Sequence, residues 1–335
     1  MRFNRLRRRE FTTLLGGAAT AWPLAAWAQQ TDRVRRIGVL MNGVAVNSTA
    51  QSYVAEFVQA LDNLGWVDGR NLHIDYRWNA GEPLLARTYA GELVSLKPDA
   101  ILSSSTTNLI ALQRVTHTIP IVFVEVSDPV AQGLVPSLAH PGGNITGFTA
   151  FRASMGGQWI ELLKEIAPAV ARTLLIYNPE TSPQSELFLK SIQAASPSFS
   201  VEVSQASVRD TTDIESTMDI FSRRPDGGLI VPSDTFTQMR RGLIVELAAR
   251  HRLPAIYRSA EFVRNGGLMY YGFDFVEHFR QAASYIDQVL KGATPGELPV
   301  KQPTRFSLVI NRKTAKALGL EIPPKLLARA DEVID

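Results

Sequence analysis

The sequence predicts an α/β fold in two similar lobes, each built around a parallel sheet. Short apolar runs alternate with segments whose apolar residues recur at helical spacing, almost without interruption. The pattern pauses once, at residues 139–144, and then restarts with the same order of elements. Strands that alternate with helices form a parallel sheet covered on both faces. The chain of 335 residues is also long enough for two domains of roughly 150 residues each.

The elements of the first half follow this alternation closely. The apolar run 36–41 predicts a buried strand. Tyr53, Phe57 and Leu61 then recur at helical spacing, and Gly65 ends that helix. The remaining elements are, in order, a strand at 72–76, a helix at 84–96, a strand at 99–102, a helix at 108–115 and a strand at 121–124.

The second half repeats the order after the pause. Its predicted elements are a helix at 155–167, a strand at 173–177, a helix at 183–195, a strand at 199–203, a helix at 211–223, a strand at 228–231, a helix at 236–251 and a strand at 255–257. No residue-level repeat accompanies this similarity of plan.

The tail of the chain carries too few elements for a third domain. They are a strand at 267–271, a helix at 275–291, a strand at 306–310 and a helix at 313–318. We expect them to complete the two sheets, so that the chain crosses between the lobes several times and forms a hinge. We assign 34–148 and about 262–295 to the first lobe, and 149–261 and about 300–335 to the second.

The first 28 residues have the pattern of a bacterial export signal of the twin-arginine type. Arg8 and Arg9 precede an uncharged stretch, and Ala26 and Ala28 are the small residues that a cleavage site requires. We therefore expect a periplasmic protein, with a retained N-terminal anchor as the alternative. The five arginines and one glutamate of this segment contribute +4, which leaves −1 for the rest of a chain whose net charge is +3. The charge thus gives no indication of nucleic acid or a membrane surface as a partner.

The sequence lacks the residue patterns of catalysis and metal binding. It contains no cysteine, which excludes disulfides and thiolate chemistry, and its five histidines show no His-x-x-x-His pairing. It also lacks the glycine spacing of dinucleotide binders, the lysine of a phosphate-binding loop and a Gly-x-Ser-x-Gly motif. We therefore expect a protein that is not an enzyme and that uses no cofactor and no metal.

Hydroxyl residues follow one of the predicted strands. In open parallel sheets, ligands bind beyond the carboxyl ends of the strands. The five hydroxyl residues at 103–107 follow the strand 99–102 and begin a helix, where free backbone N–H groups and the helix dipole favour an anion. We expect Ser104, Ser105 and Thr106 to bind a carboxylate. The alternative is that one of these hydroxyls serves only as the helix N-cap.

Polar residues also follow other strands of both lobes. Asp128 follows the strand 121–124, where it binds a cationic group or caps the short helix that begins near Pro129. Asn178 and Ser233 occupy the corresponding places in the second lobe, with loop and capping roles as the alternative.

Aromatic residues and a carboxylate stand at the end of the strand 267–271. Tyr271 and Asp274 can enclose an apolar side chain and hold an ammonium group. Tyr270 and Tyr271 point to opposite faces of the strand, so at most one of them faces a ligand.

Three stretches of the chain resemble the ABC-transporter substrate-binding protein family of the tryptophan/tyrosine-binding type. They are Arg8–Phe11 with the apolar segment behind it, 128–135 running to 141–147, and 308–320. The resemblance implies the type I periplasmic-binding-protein fold, in which two Rossmann-like lobes are joined by hinge strands and a small ligand is held between them.

The resemblance also implies which residues contact the ligand. Relatives hold aromatic amino acids with the carboxylate on the loop that corresponds to Ser104, Ser105 and Thr106. The other positions implied to face the ligand are Asn42, Ser127, Asp128, Asn178, Ser233 and Asp274.

These observations predict an exported solute receptor that works as a monomer. It would capture a small carboxylate-bearing organic solute, such as an aromatic amino acid or a related acid, and deliver it to an ABC permease that is driven by an ATPase. No nucleic acid is expected as a partner, and the membrane is contacted only through the permease. The alternative is a periplasmic ligand-sensing subunit of a signalling receptor.

Overall fold

The computed structural model describes residues 33–150, 155–182, 184–232 and 234–335. The predicted export signal lies outside these described residues. Two sheets organise the described chain, and each is covered by apolar clusters on both faces. No helix within the described ranges has both the length and the apolar composition that crossing a membrane requires.

The first sheet has five parallel strands in the order β2-β1-β3-β4-β5. The strands are β1 Arg35–Met41, β2 Leu72–Trp78, β3 Ala100–Ser104, β4 Ile121–Val126 and β5 Ile145–Thr149. The helices between them are α1 Ser48–Asn63, α2 Pro83–Ser95 and α3 Thr106–Gln113. Helix α1 begins where the Asn47 side chain accepts the N–H of Ala50 at 2.8 Å, and it buries Phe57 and Leu61.

The second sheet has seven strands in the order β12-β11-β10-β9-β8-β6-β7, and only the β10–β11 pair within it is antiparallel. Its strands are β6 Arg172–Tyr177, β7 Glu202–Ser207, β8 Gly227–Val231, β9 Ala255–Tyr257, β10 Met269–Phe273, β11 Phe306–Asn311 and β12 Glu332–Ile334. The helices are α4 Met155–Ile166, α5 Ser185–Ala195, α6 Thr211–Ser222, α7 Thr235–Met239, α8 Arg241–Arg250, α9 Ala260–Arg264, α10 Phe275–Leu290, α11 Arg312–Ala317 and α12 Pro324–Arg329.

The two-lobe α/β architecture predicted from the alternation of elements is confirmed, with local corrections. The strand predicted at 199–203 begins later, because a 3-10 turn spans Ser196–Phe199 and left-handed Ser200 (φ 53°) ends it, so β7 runs from Glu202 to Ser207. The predicted helix 236–251 is divided at Arg240 into α7 and α8. Strand β5 was not predicted, because Ile-Thr-Gly-Phe-Thr has neither a continuous apolar run nor clear alternation.

The tail of the chain is shared between the lobes differently from the prediction. Strand β10 pairs with β9 and β11 in the second sheet, so the assignment of about 262–273 to the first lobe is wrong. Helix α10 does pack on the first lobe, where Phe279, Ile286 and their neighbours join the core beneath α1. The chain therefore passes between the sheets after β5, between β10 and α10, and before β11.

Candidate functional site

A cavity of about 150 Å³ lies between the lobes, beyond the carboxyl ends of several strands. We call it the interlobe cavity. The first lobe contributes the loop after β1, together with Tyr53 and Glu125. The second lobe contributes the loops after β8 and β9, with Asp234 and Arg258 among them. Both lobes therefore contact whatever occupies this space.

The lobes touch each other beside the interlobe cavity. Asn42 of the first lobe donates from its side-chain amide to the hydroxyl of Thr235 in the second. Gly81, at φ 76°, also packs so closely on Thr235 that an added Cβ would overlap that side chain. The cavity is therefore closed on this side by direct contact between the lobes.

Glu125 is a partly buried acid in the wall of the interlobe cavity. The pairing of β4 with β5 shifts register between Phe123 and Val126, and Glu125 has a left-handed backbone at φ 59°. Such a bulge redirects a side chain that a regular strand would point elsewhere. The Ser104 hydroxyl donates to Glu125 Oε2 at 2.7 Å. Burial raises the pKa of Glu125, while the Ser104 bond and the positive charge of Arg258 lower it.

Arg258 directly follows β9 and is only 1% exposed. Its Nη2 donates to the carbonyl of Ala150 at 2.6 Å, and its guanidinium lies over the Phe273 ring at 4.5 Å from the centroid. Its Nε and Nη1 have no hydrogen-bond partner among the described residues. Burial lowers the pKa of Arg258 to about 10, so the side chain remains cationic at neutral pH.

Asp234 connects two loops of the second lobe at the cavity wall. Its carboxylate accepts the backbone N–H groups of Asn178 at 2.9 Å and Phe236 at 3.0 Å, and it also accepts the Thr181 hydroxyl. Burial raises the pKa of this carboxyl, while the hydrogen bonds oppose that shift. Asn178 in turn accepts the N–H of Glu180 at 2.8 Å, as a loop-capping residue does.

Of the residues predicted for the site, Asn42 lines the interlobe cavity. Its backbone N–H donates to the hydroxyl of Ser104 at 3.4 Å. The same hydroxyl donates to Glu125, so Ser104 bonds to both residues. Ser105 is the N-cap of α3 and accepts the N–H of Asn108 at 3.3 Å, at φ 83°. This is the capping role that was the alternative reading of the hydroxyl run.

The other predicted residues near β4 and α10 bond to local backbone groups. Thr106 accepts the N–H of Ser127 at 3.4 Å. Asp128 accepts the N–H of Ala131 at 3.0 Å. Asp274 caps α10 and lies at a second cavity, of about 890 Å³, near the passages between the lobes. The interlobe cavity is not lined by any of the four predicted residues Thr106, Ser127, Asp128 and Asp274.

Tyr271 lies in the core of the second lobe rather than in the interlobe cavity. Its ring stacks on Phe306 at 5.6 Å between centroids, and its carbonyl accepts the indole N–H of Trp159 at 3.1 Å. Because β10 belongs to the second sheet, this face of the strand packs against α4, which corrects the predicted ligand contact. Ser233 lies outside the described residues.

Three residues of the cavity wall escaped the sequence-based prediction, although each has a signal in the sequence. Glu125 is the single charged residue in the apolar run 121–126. Arg258 directly follows a strand, at the place where ligand-binding loops begin. Asp234 neighbours the predicted Ser233. Among the described residues, no cluster of three or more His, Asp or Glu side chains has the arrangement of a metal site.

The chain belongs to the ABC transporter substrate binding protein family, whose model matches residues 39–334. It is similar to a "Tyrosine-binding protein" of Clostridioides difficile (strain R20291), with 26% identity over 293 residues that cover 88% of this chain and 84% of the relative. The structure has the type I periplasmic-binding-protein fold. Family members are substrate-binding proteins and not enzymes, are extracellular or periplasmic, and deliver small solutes to a permease.

Two solved structures are similar to this chain in both fold and sequence. One is the ABC domain in complex with L-Trp from Streptococcus pneumonia, with a TM-score of 0.83 and 26% identity over 90% of this chain and 99% of that one. The other is the ligand-free, open structure of a substrate binding protein with adhesive properties from Clostridium difficile. It has a TM-score of 0.68 and 25% identity over 90% of this chain and 99% of that one.

Proposed function

We propose that this protein captures a small carboxylate-bearing organic solute between its lobes and delivers it to an ABC uptake transporter. The observation that carries the proposal is the interlobe cavity, which both lobes line and whose wall includes the buried cation Arg258. A buried charge is stable only when it is paired, and a carboxylate is a geometrically suitable partner for a guanidinium.

The proposed mechanism of capture is closure of the two lobes around the solute. The contact of Asn42 with Thr235 supports a nearly closed arrangement. The higher TM-score with the L-Trp complex, 0.83 against 0.68 for the ligand-free open structure at almost equal identity, supports it as well. A solute that contacts both lobes favours the closed form by its difference in affinity for the two forms.

An aromatic amino acid or a related acid is the proposed type of solute. Tyr53 and Phe275 line the cavity, and their ring centroids lie 6.0 Å apart, which is within the range of interacting rings. The volume of the interlobe cavity, about 150 Å³, equals that of an engineered protein cavity that binds benzene. The interlobe cavity therefore has room for an aromatic ring. The two relatives named for tyrosine and L-Trp support the same class.

The proposal includes export through the twin-arginine route, cleavage after Ala28, and a monomer that meets the permease and its ATPase. Cell fractionation with and without a functional twin-arginine translocase tests the route. Accumulation of the uncleaved chain in the cytoplasm of the translocase mutant is the expected result, and periplasmic protein in that mutant would contradict it.

Calorimetry of the protein without its first 28 residues tests the binding function. The panel contains aromatic amino acids, their deaminated acids and neutral sugars. A carboxylate ligand at 100 times its Kd should stabilise the fold by about 2.7 kcal/mol, which thermal unfolding detects. Binding of sugars alone would contradict the carboxylate assignment, and conversion of the bound molecule into a product would contradict a binding protein.

A further inference from the structure

Gly81 of the first lobe packs directly on the second lobe at the edge of the interlobe cavity. It lies between β2 and α2, is buried, and has φ 76°. A Cβ at this position would overlap Cγ2 of Thr235 and would lie 3.6 Å from Sδ of Met239, both in α7 of the second lobe. Gly81 does not line the interlobe cavity. Its contact with α7 therefore involves protein atoms alone.

A hydrogen bond joins the lobes beside this close contact. Thr235 packs its methyl group on Gly81 and accepts the side-chain amide of Asn42 at its hydroxyl. We call Asn42, Gly81 and Thr235 the lobe latch. Its hydrogen bond and its packing join protein groups only, so they stabilise the contact between the lobes with or without a solute. One such hydrogen bond shifts an equilibrium by about two- to tenfold.

A network of buried amides holds the first-lobe half of the latch in place. Asn79 and Asn108 are both 0% exposed. Asn79 donates to Oδ1 of Asn108 at 2.8 Å and accepts the backbone N–H of Gly81 at 3.1 Å. Asn108 in turn donates to the carbonyl of Leu40 at 3.2 Å. Because Leu40 lies near the end of β1, the strand that Asn42 follows, this network fixes Gly81 and Asn42 on one rigid surface.

Hydrogen bonds within the second lobe hold the other half of the latch. Thr235 is the first residue of α7, and Asp234 caps that helix by accepting the N–H of Phe236 at 3.0 Å. The same carboxylate accepts the N–H of Asn178 at 2.9 Å, which fixes the start of α7 to a neighbouring loop. Two surfaces that are already ordered lose little conformational entropy when they meet. The contact between the lobes is therefore favourable without further rearrangement.

We propose that the lobe latch closes a fraction of the molecules before any solute binds. The inference rests on the proposed function, since it concerns the closure by which the solute is captured. The affinity measured for a solute depends on the fraction of molecules in the form that retains it. Weakening the latch should therefore weaken the binding of every solute by the same factor. Loss of a direct solute contact would instead affect one solute more than another.

Distances between two spin labels, measured on the protein without solute, test the latch. Because the chain contains no cysteine, Leu84→Cys and Ile220→Cys place one label on each lobe. Both side chains are exposed, at 71% and 61%. The protein that carries only these two changes should show a shorter-distance population, on the order of a tenth of the molecules or more. Gly81→Ala should lower the ratio of closed to open molecules at least about tenfold, since its Cβ overlaps Thr235.

A matched control separates this overlap from backbone strain. Gly69 has φ 80°, close to that of Gly81, but no atom of the described residues lies within 4 Å of a Cβ placed there. Gly69→Ala should therefore cost similar stability in thermal unfolding and leave the distances unchanged.

Two variants of Thr235 separate the packing from the hydrogen bond. Thr235→Ser removes Cγ2 and keeps the hydroxyl, so its addition to Gly81→Ala should restore most of the closed population. Thr235→Val keeps the methyl group and removes the hydroxyl that accepts Asn42. It should lower the ratio of closed to open molecules about fivefold.

The outcomes distinguish the latch from the proposed function. A single open distance in the absence of solute, or the same distances with and without Gly81→Ala, would overturn the latch. L-tyrosine and L-tryptophan serve as probes in calorimetry, and Gly81→Ala should weaken both by one factor. A loss confined to one of them would assign Gly81 to solute recognition and contradict the latch. If neither binds while the distances change as expected, the latch stands and the proposed solute class fails.

Discussion

We expect the fold to lose stability in acid because a histidine is buried at the passage between the lobes. His278 lies on α10 with 4% exposure, stacked on Phe273 at 4.7 Å between ring centroids and tilted against Phe148 at 5.7 Å. Its Nδ1 has no hydrogen-bond partner among the described residues. Burial and, to a smaller extent, the charge of Arg258 lower the pKa of His278 from 6.5 to about 4, and Glu277 opposes the shift.

The sign and size of the effect follow from this depressed pKa. His278 is protonated near pH 6.5 in the unfolded chain and only near pH 4 in the folded chain. The unfolded state therefore binds more protons between these pH values. The contribution of neutral His278 to stability is fully present above about pH 6.5 and is lost as the pH falls to about 4. One pKa unit corresponds to about 1.4 kcal/mol, so the loss amounts to about 3 kcal/mol.

The assay is urea unfolding of the wild type, His278→Phe and His278→Gln between pH 7 and pH 4. Both variants remove the titrating group, one with an aromatic ring of similar shape and one with a polar side chain. The free energy of unfolding of each variant should fall by about 3 kcal/mol less than that of the wild type over this range. The carboxyl groups titrate in all three proteins, so their effect cancels in the comparison. Parallel pH profiles for wild type and variants would refute the reasoning.

Two predictions concern packing in the first lobe. Gly147→Ala places a methyl group against the backbone of Phe123 at φ 151°, so we expect a loss of several kcal/mol in urea unfolding. Its control, Gly91→Ala, faces open space on α2 and should add about 0.5–1 kcal/mol; an equal effect of both would contradict the steric argument. Phe279→Ala should cost about 3–5 kcal/mol and should make residues 275–290 the first site of limited proteolysis, whereas unchanged cleavage would show that α10 is not held by the first-lobe core.

Local sequence patterns predicted most of the secondary structure, because apolar periodicity records which face of an element is buried. The strand 36–41 and the helix that contains Phe57 and Leu61 lie where that periodicity places them. The prediction failed where conformation depends on a single backbone angle or on a distant neighbour. The left-handed backbone of Ser200 moves the start of β7 to Glu202. Gly147 of β5 packs against the backbone of Phe123 in the neighbouring strand β4.

The site was predicted less completely than the fold. Asn42 lines the cavity because it follows a strand, which is a local property. Local alternation also predicts the side of the strand on which Tyr271 lies. The residues around it depend on which sheet contains β10, and that pairing involves residues far along the chain. Glu125 lies in the cavity wall because of a bulge in β4, and the N–H groups of Arg258 that stay unpaired among the described residues depend on which groups the fold brings near them.

The sequence by itself determined the α/β class, the two lobes, the absence of disulfides and the family, because these depend on periodicity, composition and local motifs. Only the tertiary structure decided which lobe owns β10 and which polar side chains reach the interlobe cavity. The physical reason is that a hydroxyl or carboxylate bonds to whichever group the fold brings nearest. Ser105 therefore caps α3, while Nε and Nη1 of Arg258 have no hydrogen-bond partner among the described residues.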